Sequence, residues 1–250
     1  MSQQDLSVQL YTVRNALAQD YDGTLERVAG FGYTQVEPFQ FVKFLDELRG
    51  LARHGLSAPT AHVGLLDGDQ DEIFAAATEL GITTVIEPAV RDPHWESSDS
   101  IKAVADQLNA AAEKAAQHGL RVGYHNHWWE LAEVDGRHGL EVLADHLAPE
   151  VRLEVDTYWA QAGGADVPAL LERLGDRVFA LHVKDGDGST DTKKQVAVGS
   201  GSLPVWDFIA AKPDALRVVE LDDSDGDLLD AVRDSRTYLL QGAPAAGAGA

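Results

Sequence analysis

An α/β fold, and within that class a single eight-fold β/α barrel, is the architecture this sequence predicts. Three observations carry the prediction. Short apolar runs alternate with helix-like segments along the whole chain. A glycine repeatedly follows the helical segment, just ahead of the next strand, where a left-handed cap belongs. The 250 residues also suit a barrel of this kind, which folds as one domain of roughly that size.

The elements follow in order. Strands are expected at Leu6-Ser7-Val8-Gln9-Leu10-Tyr11, Thr34-Gln35-Val36-Glu37, Ala58-Pro59-Thr60-Ala61-His62 and Thr83-Thr84-Val85-Ile86. The second half supplies Leu120-Arg121-Val122-Gly123, Leu153-Glu154-Val155-Asp156, Val178-Phe179-Ala180-Leu181-His182 and Leu216-Arg217-Val218-Val219-Glu220. Helical patterns lie between them. Residues 24–29 lead to Gly30 and Gly32, 44–54 to Gly55, 72–80 to Gly81 and 99–118 to Gly119. Further helices are expected over 139–147, 167–174, 205–211 and 228–239. An open doubly wound sheet would carry a glycine-rich phosphate loop after its first strand. Here Thr12-Val13-Arg14-Asn15 follows instead. The barrel domain is expected over residues 1–240, with 241–250 a disordered Gly/Ala tail.

Composition narrows the function classes. Apolar residues make up 44% of the chain, and no apolar run approaches the ~18 residues that span a bilayer. The start, Met1-Ser2-Gln3-Gln4-Asp5, lacks the basic and apolar regions of a secretory signal. There is no cysteine, which excludes disulfides and thiolate metal sites and makes a cytoplasmic location the expectation. The formal net charge of −21 favours solubility, repels nucleic acid and anionic membranes, and leans against a heavily phosphorylated substrate.

In a barrel of this kind the active site lies at the C-terminal ends of the strands. The polar groups there are Gln9, Tyr11, Arg14, Glu37, His62 and Glu87, then His125, Asn126, His127, Asp156, Tyr158, Trp159, His182, Lys184, Asp185 and Glu220. In Tyr124-His125-Asn126-His127, alternation sends His125 and His127 to one face. A single strand-end histidine is usually a structural hydrogen bonder, and a single aspartate there can cap a helix. His125, Asp156, His182 and Glu220, however, come from four successive strands. Two imidazoles and two carboxylates suit a divalent metal, Mn²⁺ first, with Mg²⁺, Co²⁺, Zn²⁺ or Fe²⁺ as alternatives, and with positions left open for a chelating substrate. Trp159 adjoins this set and offers a sugar ring a flat apolar face. Gln9, Tyr11, Glu37 and His127 are the other candidate substrate contacts, while His54, His118 and His146 read as surface residues.

These motifs resemble those of the sugar isomerase/epimerase group of xylose-isomerase-like TIM barrels. The matching pieces run from Val8-Gln9-Leu10-Tyr11-Thr12-Val13-Arg14 through Ala61-His62-Val63-Gly64 and Tyr124-His125-Asn126-His127. They continue with Glu154-Val155-Asp156-Thr157-Tyr158-Trp159, Leu181-His182-Val183-Lys184-Asp185 and Val219-Glu220. The resemblance implies one bound divalent metal with Glu, Asp, His and Glu ligands. Asp156, His182 and Glu220 match the last three, and His125 stands where the first glutamate would be. In related epimerases two ligand glutamates work on opposite faces of the substrate, so this chain would need another group for one of those roles.

The resemblance therefore implies a metal-dependent sugar isomerase or epimerase acting on a keto-sugar, or a related polyol carbonyl, through an enediolate. Glu220 or His62 would move the proton, and Lys184 would stabilise charge or protonate a leaving oxygen. The alternative is a lyase or dehydratase eliminating a β-oxygen from a 3-keto-glycoside or keto-inositol. A weaker alternative is a non-catalytic sugar-binding accessory subunit. Endonuclease IV shares the barrel, but the charge and the four-ligand pattern argue against a DNA substrate. The expected partner is a small carbohydrate; whether copies of the chain form a homo-oligomer is left open.

Overall fold

The structure is a computed structural model that describes residues 6–91 and 93–243. Its eight long strands are β1 (Leu6–Gln9), β2 (Gln35–Glu37), β3 (Thr60–His62), β4 (Thr84–Glu87), β5 (Arg121–His125), β8 (Arg152–Asp156), β9 (Val178–Val183) and β10 (Leu216–Val219). They form one all-parallel sheet in the order β2-β1-β10-β9-β8-β5-β4-β3. Single parallel bridges, Gln35 to Ser57 and Phe39 to His62, draw the two end strands together and nearly close the barrel. Between β5 and β8 lies a two-residue antiparallel pair, β6 (Glu133–Val134) and β7 (Arg137–His138), outside the barrel sheet.

The helices cover the outside because each presents an apolar stripe. In Ser98–Gln117 the buried positions Ile101, Val104, Ala105, Leu108, Ala111, Ala112 and Ala115 follow the three-four spacing of one face. Ser97 and Ser100 cap its first turn reciprocally. The glycine stops are where expected: Gly81 and Gly119 adopt φ of 70° and 73°. The pattern over 44–54 is not one helix but two short turns, Leu45–Leu48 and Leu51–His54, separated at Arg49-Gly50. The first strand stops at Gln9, whose side chain caps a 3₁₀ turn over Leu10–Val13. The last helix, Leu228–Gln241, runs one residue past 240. From residue 244 onward the expected tail lies outside the described residues.

Alternation along the strands divides the sheet into two faces. Val8, Val36, Ala61, Val85, Val155 and Leu181 are buried and pack in the shared apolar core. Gln9, Glu37, His62, His125, Glu154, Asp156 and His182 occupy the alternate positions and are equally buried. The C-terminal end of the barrel is thus filled by polar groups that must satisfy one another. No helix among the described residues is long and apolar enough to cross a membrane.

Candidate metal centre

The parallel register delivers the four expected ligands together. His125 lies opposite Glu154 across β5 and β8, and Asp156 lies opposite His182 across β8 and β9. One ligand atom from each of His125, Asp156, His182 and Glu220 falls within 4.8 Å of the others. Asp156 serves twice. Its Oδ1 accepts the Trp159 N–H at 2.9 Å and caps the helix Thr157–Ala162. Its Oδ2 faces the cluster, 3.7 Å from His125 Nε2 and 2.8 Å from Lys184 Nζ. Asn126 ties the strand ends together, accepting the Asp156 N–H at 3.0 Å.

Below this set lies a second polar layer. Glu154 Oε2 is 2.6 Å from His62 Nε2, 3.1 Å from His125 Nδ1 and 3.0 Å from His182 Nε2. Glu37 Oε1 accepts from Gln9 Nε2 at 2.8 Å and lies 2.8 Å from His182 Nε2. The His62 and His182 rings stack with centroids 5.3 Å apart. His62, His125, Glu154 and His182 form a second group of converging donor atoms.

Buried charge has to be balanced. Lys184 is fully buried, with Nζ 2.8 Å from Asp156, 2.7 Å from Glu220 and 2.5 Å from Asp222. Burial works against its charge, but Asp156, Asp222 and Glu220 hold its pKa well above the usual lysine value. Burial likewise disfavours charge on His62, yet Glu37 and Glu154 raise it to about 10. For His125 burial prevails, reinforced by the charge on His182, and the ring stays neutral. Burial raises Asp156 to about 6, with Lys184 pulling the other way. The carboxylates of Glu37, Glu154, Asp156, Glu220 and Asp222 still outnumber the three cations among them, Lys184 and the protonated His62 and His182. That excess, and the nitrogen and oxygen donors converging on it, fit a divalent cation held by His125, Asp156, His182 and Glu220.

A cavity of ≈ 460 Å³ opens above the cluster. Its floor includes His62, His125 and Glu220. One wall is aromatic: Trp128, Trp129 and Trp159, with His127 stacked on Trp129 at 4.3 Å. Tyr11 and Phe39, edge to face at 5.4 Å, also line it. Of the expected substrate contacts, Tyr11, His127 and Trp159 therefore line the cavity, whereas Gln9 and Glu37 are fully buried in the layer beneath. Among the expected catalytic groups, His62 and Glu220 face the cavity and Lys184 lies below it.

Other strand-end candidates turn out to hold loops. Glu87 Oε2 accepts the N–H groups of Leu65 and Leu66. Asp185 takes four backbone N–H groups, from Gly186, Gly199, Gly201 and Leu203. Tyr158 donates to the Ser189 carbonyl at 2.9 Å. His118 and His146 are exposed, and His54 pairs with Asp22 at the surface. Sequence reasoning missed three participants: the buried Glu154 and Glu130, and the partly exposed Asp222. Glu154 had a usable signal, since it precedes Asp156 by two residues and must share its face. Glu130 accepts from the Tyr124 hydroxyl at 2.7 Å and the His127 N–H at 2.9 Å, and so fixes the loop after β5.

Known proteins match this architecture. A sugar phosphate isomerase/epimerase from Parabacteroides distasonis ATCC 8503 superposes with a TM-score of 0.83 at 23% identity, covering 97% of this chain and 95% of that one. The probable 3-DHS dehydratase AsbF of Bacillus anthracis, involved in petrobactin synthesis, gives 0.72 at 15% identity, over 94% and 98%. The IolI protein with a bound zinc atom gives 0.74 at 16% identity, over 95% and 97%. At these identities the likeness establishes the fold. No curated protein matches the sequence. The family described as xylose isomerase-like TIM barrel matches residues 25–215. With more than half of its length matched, and a nearly closed parallel barrel with its polar cluster at the strand ends, this chain belongs to the xylose isomerase-like TIM barrel family.

Proposed function

We propose that the protein is a divalent-metal-dependent isomerase or epimerase of a keto-sugar or related polyol carbonyl. One observation carries this reading: the donor atoms of His125, Asp156, His182 and Glu220 converge within 4.8 Å at the foot of a cavity walled by tryptophans. A divalent ion held there would polarise a substrate carbonyl and favour an enediolate on the substrate. Mn²⁺ is the first choice for this donor set. The protein's own groups do the rest. Trp128 and Trp129, both partly exposed, give a sugar ring an aromatic wall, the buried Trp159 packs against Trp128, and His127, stacked on Trp129, extends that wall toward the floor. Glu220 lines the cavity with Oε2 held by Lys184 Nζ at 2.7 Å and lying 2.7 Å from His182 Nδ1, which places it to take the proton beside the carbonyl. His62, kept protonated by Glu37 and Glu154, faces the same space and would return it.

A second reading, β-elimination from a 3-keto-glycoside or keto-inositol, is supported by the same groups. Glu220 is the only carboxylate of the ligand set that lines the cavity. Strand β5 brings His125, not a second carboxylate, to the same cluster. One base with an imidazolium acid is what loss of a β-oxygen requires.

Metal analysis followed by proton NMR in D₂O, with a panel of ketoses, inososes and 3-keto-glucosides, tests both. Metal-dependent deuterium entry at carbon, without loss of water or aglycone, supports isomerisation or epimerisation. An enone or a freed aglycone supports elimination, and tight sugar binding without turnover or metal supports an accessory subunit. His182→Ala should lose both turnover and bound metal; an active, fully metallated variant would sink the site.

A further inference from the structure

We infer that Glu154 is the positioning residue of this metal centre, the group that sets which ring nitrogen each ligand histidine turns toward the cation. This rests on the metal reading above. A neutral imidazole carries one N–H and one lone pair, so fixing the N–H fixes the nitrogen left to coordinate. Glu154 Oε2 meets His125 at Nδ1, 3.1 Å away, which leaves His125 Nε2 facing Asp156 Oδ2. The same oxygen meets His182 at Nε2, 3.0 Å away, beside Glu37 Oε1 at 2.8 Å, and His182 Nδ1 then faces Glu220 Oε2 at 2.7 Å. The two rings thus enter the cluster in opposite senses, one by Nε2 and the other by Nδ1. A single carboxylate oxygen touches both rings: it meets His125 Nδ1 alone and shares His182 Nε2 with Glu37.

Two further observations set Glu154 apart from an ordinary buried acid. It is fully buried, and its ion-pair partners are the histidines His62, His125 and His182, with no lysine or arginine among them. Its other oxygen, Oε1, has no hydrogen-bond partner. A group that merely supported the strand could be an amide or an apolar side chain at lower desolvation cost. The register also leaves it no freedom. Glu154 lies directly opposite His125 in β5–β8 and two residues before Asp156, so it can only stand beneath the ligands. A carboxylate there raises the basicity of the imidazoles above it as well as orienting them.

The test uses chelator-stripped full-length protein reloaded with Co²⁺ alone, following affinity by competition and the visible absorption of the bound ion. Glu154→Gln keeps an acceptor but removes the charge. It should still bind Co²⁺, with affinity about 10–100-fold weaker and with a shifted absorption band, whereas Asp156→Asn should lose binding. Wild-type affinity and spectrum in Glu154→Gln overturn the proposal. Loss of Co²⁺ from Glu154→Gln with retention in Asp156→Asn also overturns it, by making Glu154 a ligand. A wild-type protein that takes up no Co²⁺ overturns the metal reading itself, a distinct result. Independently of any variant, ¹⁵N-histidine NMR of the Zn²⁺-loaded wild type should place the proton on Nδ1 of His125 and on Nε2 of His182. The opposite tautomers refute the role.

Discussion

Replacing Asp185 by asparagine exchanges one carboxylate oxygen for an NH₂ group and should loosen the loop that closes one side of the cavity. Asp185 Oδ1 accepts from Gly186 N at 2.8 Å and Leu203 N at 3.1 Å, while Oδ2 accepts from Gly199 N at 2.9 Å and Gly201 N at 3.1 Å. An asparagine keeps one oxygen and presents its NH₂ to the other pair of N–H donors. Each hydrogen bond to a charged group contributes about 1.5–3 kcal/mol, so losing two sets an upper bound of about 3–6 kcal/mol. Gly199 and Gly201 are exposed, so water can reach their freed N–H groups. The expected net loss is therefore about 2–3 kcal/mol. In a urea titration followed by far-ultraviolet circular dichroism, with a slope of about 3 kcal/mol/M, the midpoint should fall by about 0.7–1 M. Gly201→Ala should act in the same direction, because a Cβ there would lie 2.1 Å from Asp185 Oδ1. A midpoint for Asp185→Asn within about 0.2 M of wild type would refute the reasoning, because that is far less than two charge-assisted bonds contribute.

Three further outcomes are expected. Lys184→Met strips the ammonium from Asp156, Glu220 and Asp222; in chelator it should be about 3–5 kcal/mol less stable than wild type, and Mn²⁺ should raise its melting temperature by more. Equal melting curves in chelator would contradict this. Burial holds Glu130 protonated to about pH 8 in the folded state, well above its unfolded value. The folded state then binds more protons between roughly pH 5 and 8, so stability falls as pH rises through that window, by at most about 1.4 kcal/mol per unit. Glu130→Gln should flatten that fall in urea titrations at stepped pH, and an unchanged slope would count against it. Trp129→Leu removes the face on which His127 stacks; for a substrate found by the NMR panel, KM should rise about 2–10-fold with kcat nearly unchanged, the share of one aromatic contact. A loss confined to kcat would place Trp129 elsewhere in the reaction.

How much of this was legible depends on the range of the interaction. The barrel strands were readable because each is a local apolar run bounded by turn residues, and glycines such as Gly81 and Gly119 mark stops that a side chain would strain. The convergence of His125, Asp156, His182 and Glu220 was readable because one polar group ends each of four successive runs. What escaped depended on register or on neighbours distant in sequence. Glu154 reads as an interruption in a strand until β5 is laid beside β8 and His125 falls opposite it. Gln9 and Glu37 look like mouth residues, yet both are fully buried and bond to each other at 2.8 Å. Lys184 and Asp222 meet across two strand ends 38 residues apart. Gly50 divided the expected 44–54 helix. The hairpin of β6 and β7 is too short for periodicity to register.

The placement of the tryptophans gives the molecule an optical property. The sequence has five, and Trp128, Trp129 and Trp159 surround the cavity while Trp206 sits by Tyr238, away from it. Trp95 and Trp129 both donate to the Val90 carbonyl, coupling a fourth indole to the same wall. The Trp159 indole N–H has no partner, and the Lys184 ammonium lies 5.2 Å from its ring centroid. Most of the intrinsic fluorescence therefore originates where a ligand would sit, next to a fixed charge that a bound cation would displace or screen. Emission intensity and colour should follow occupancy of the cavity without any label, and Trp206→Phe would remove the emitter placed away from it.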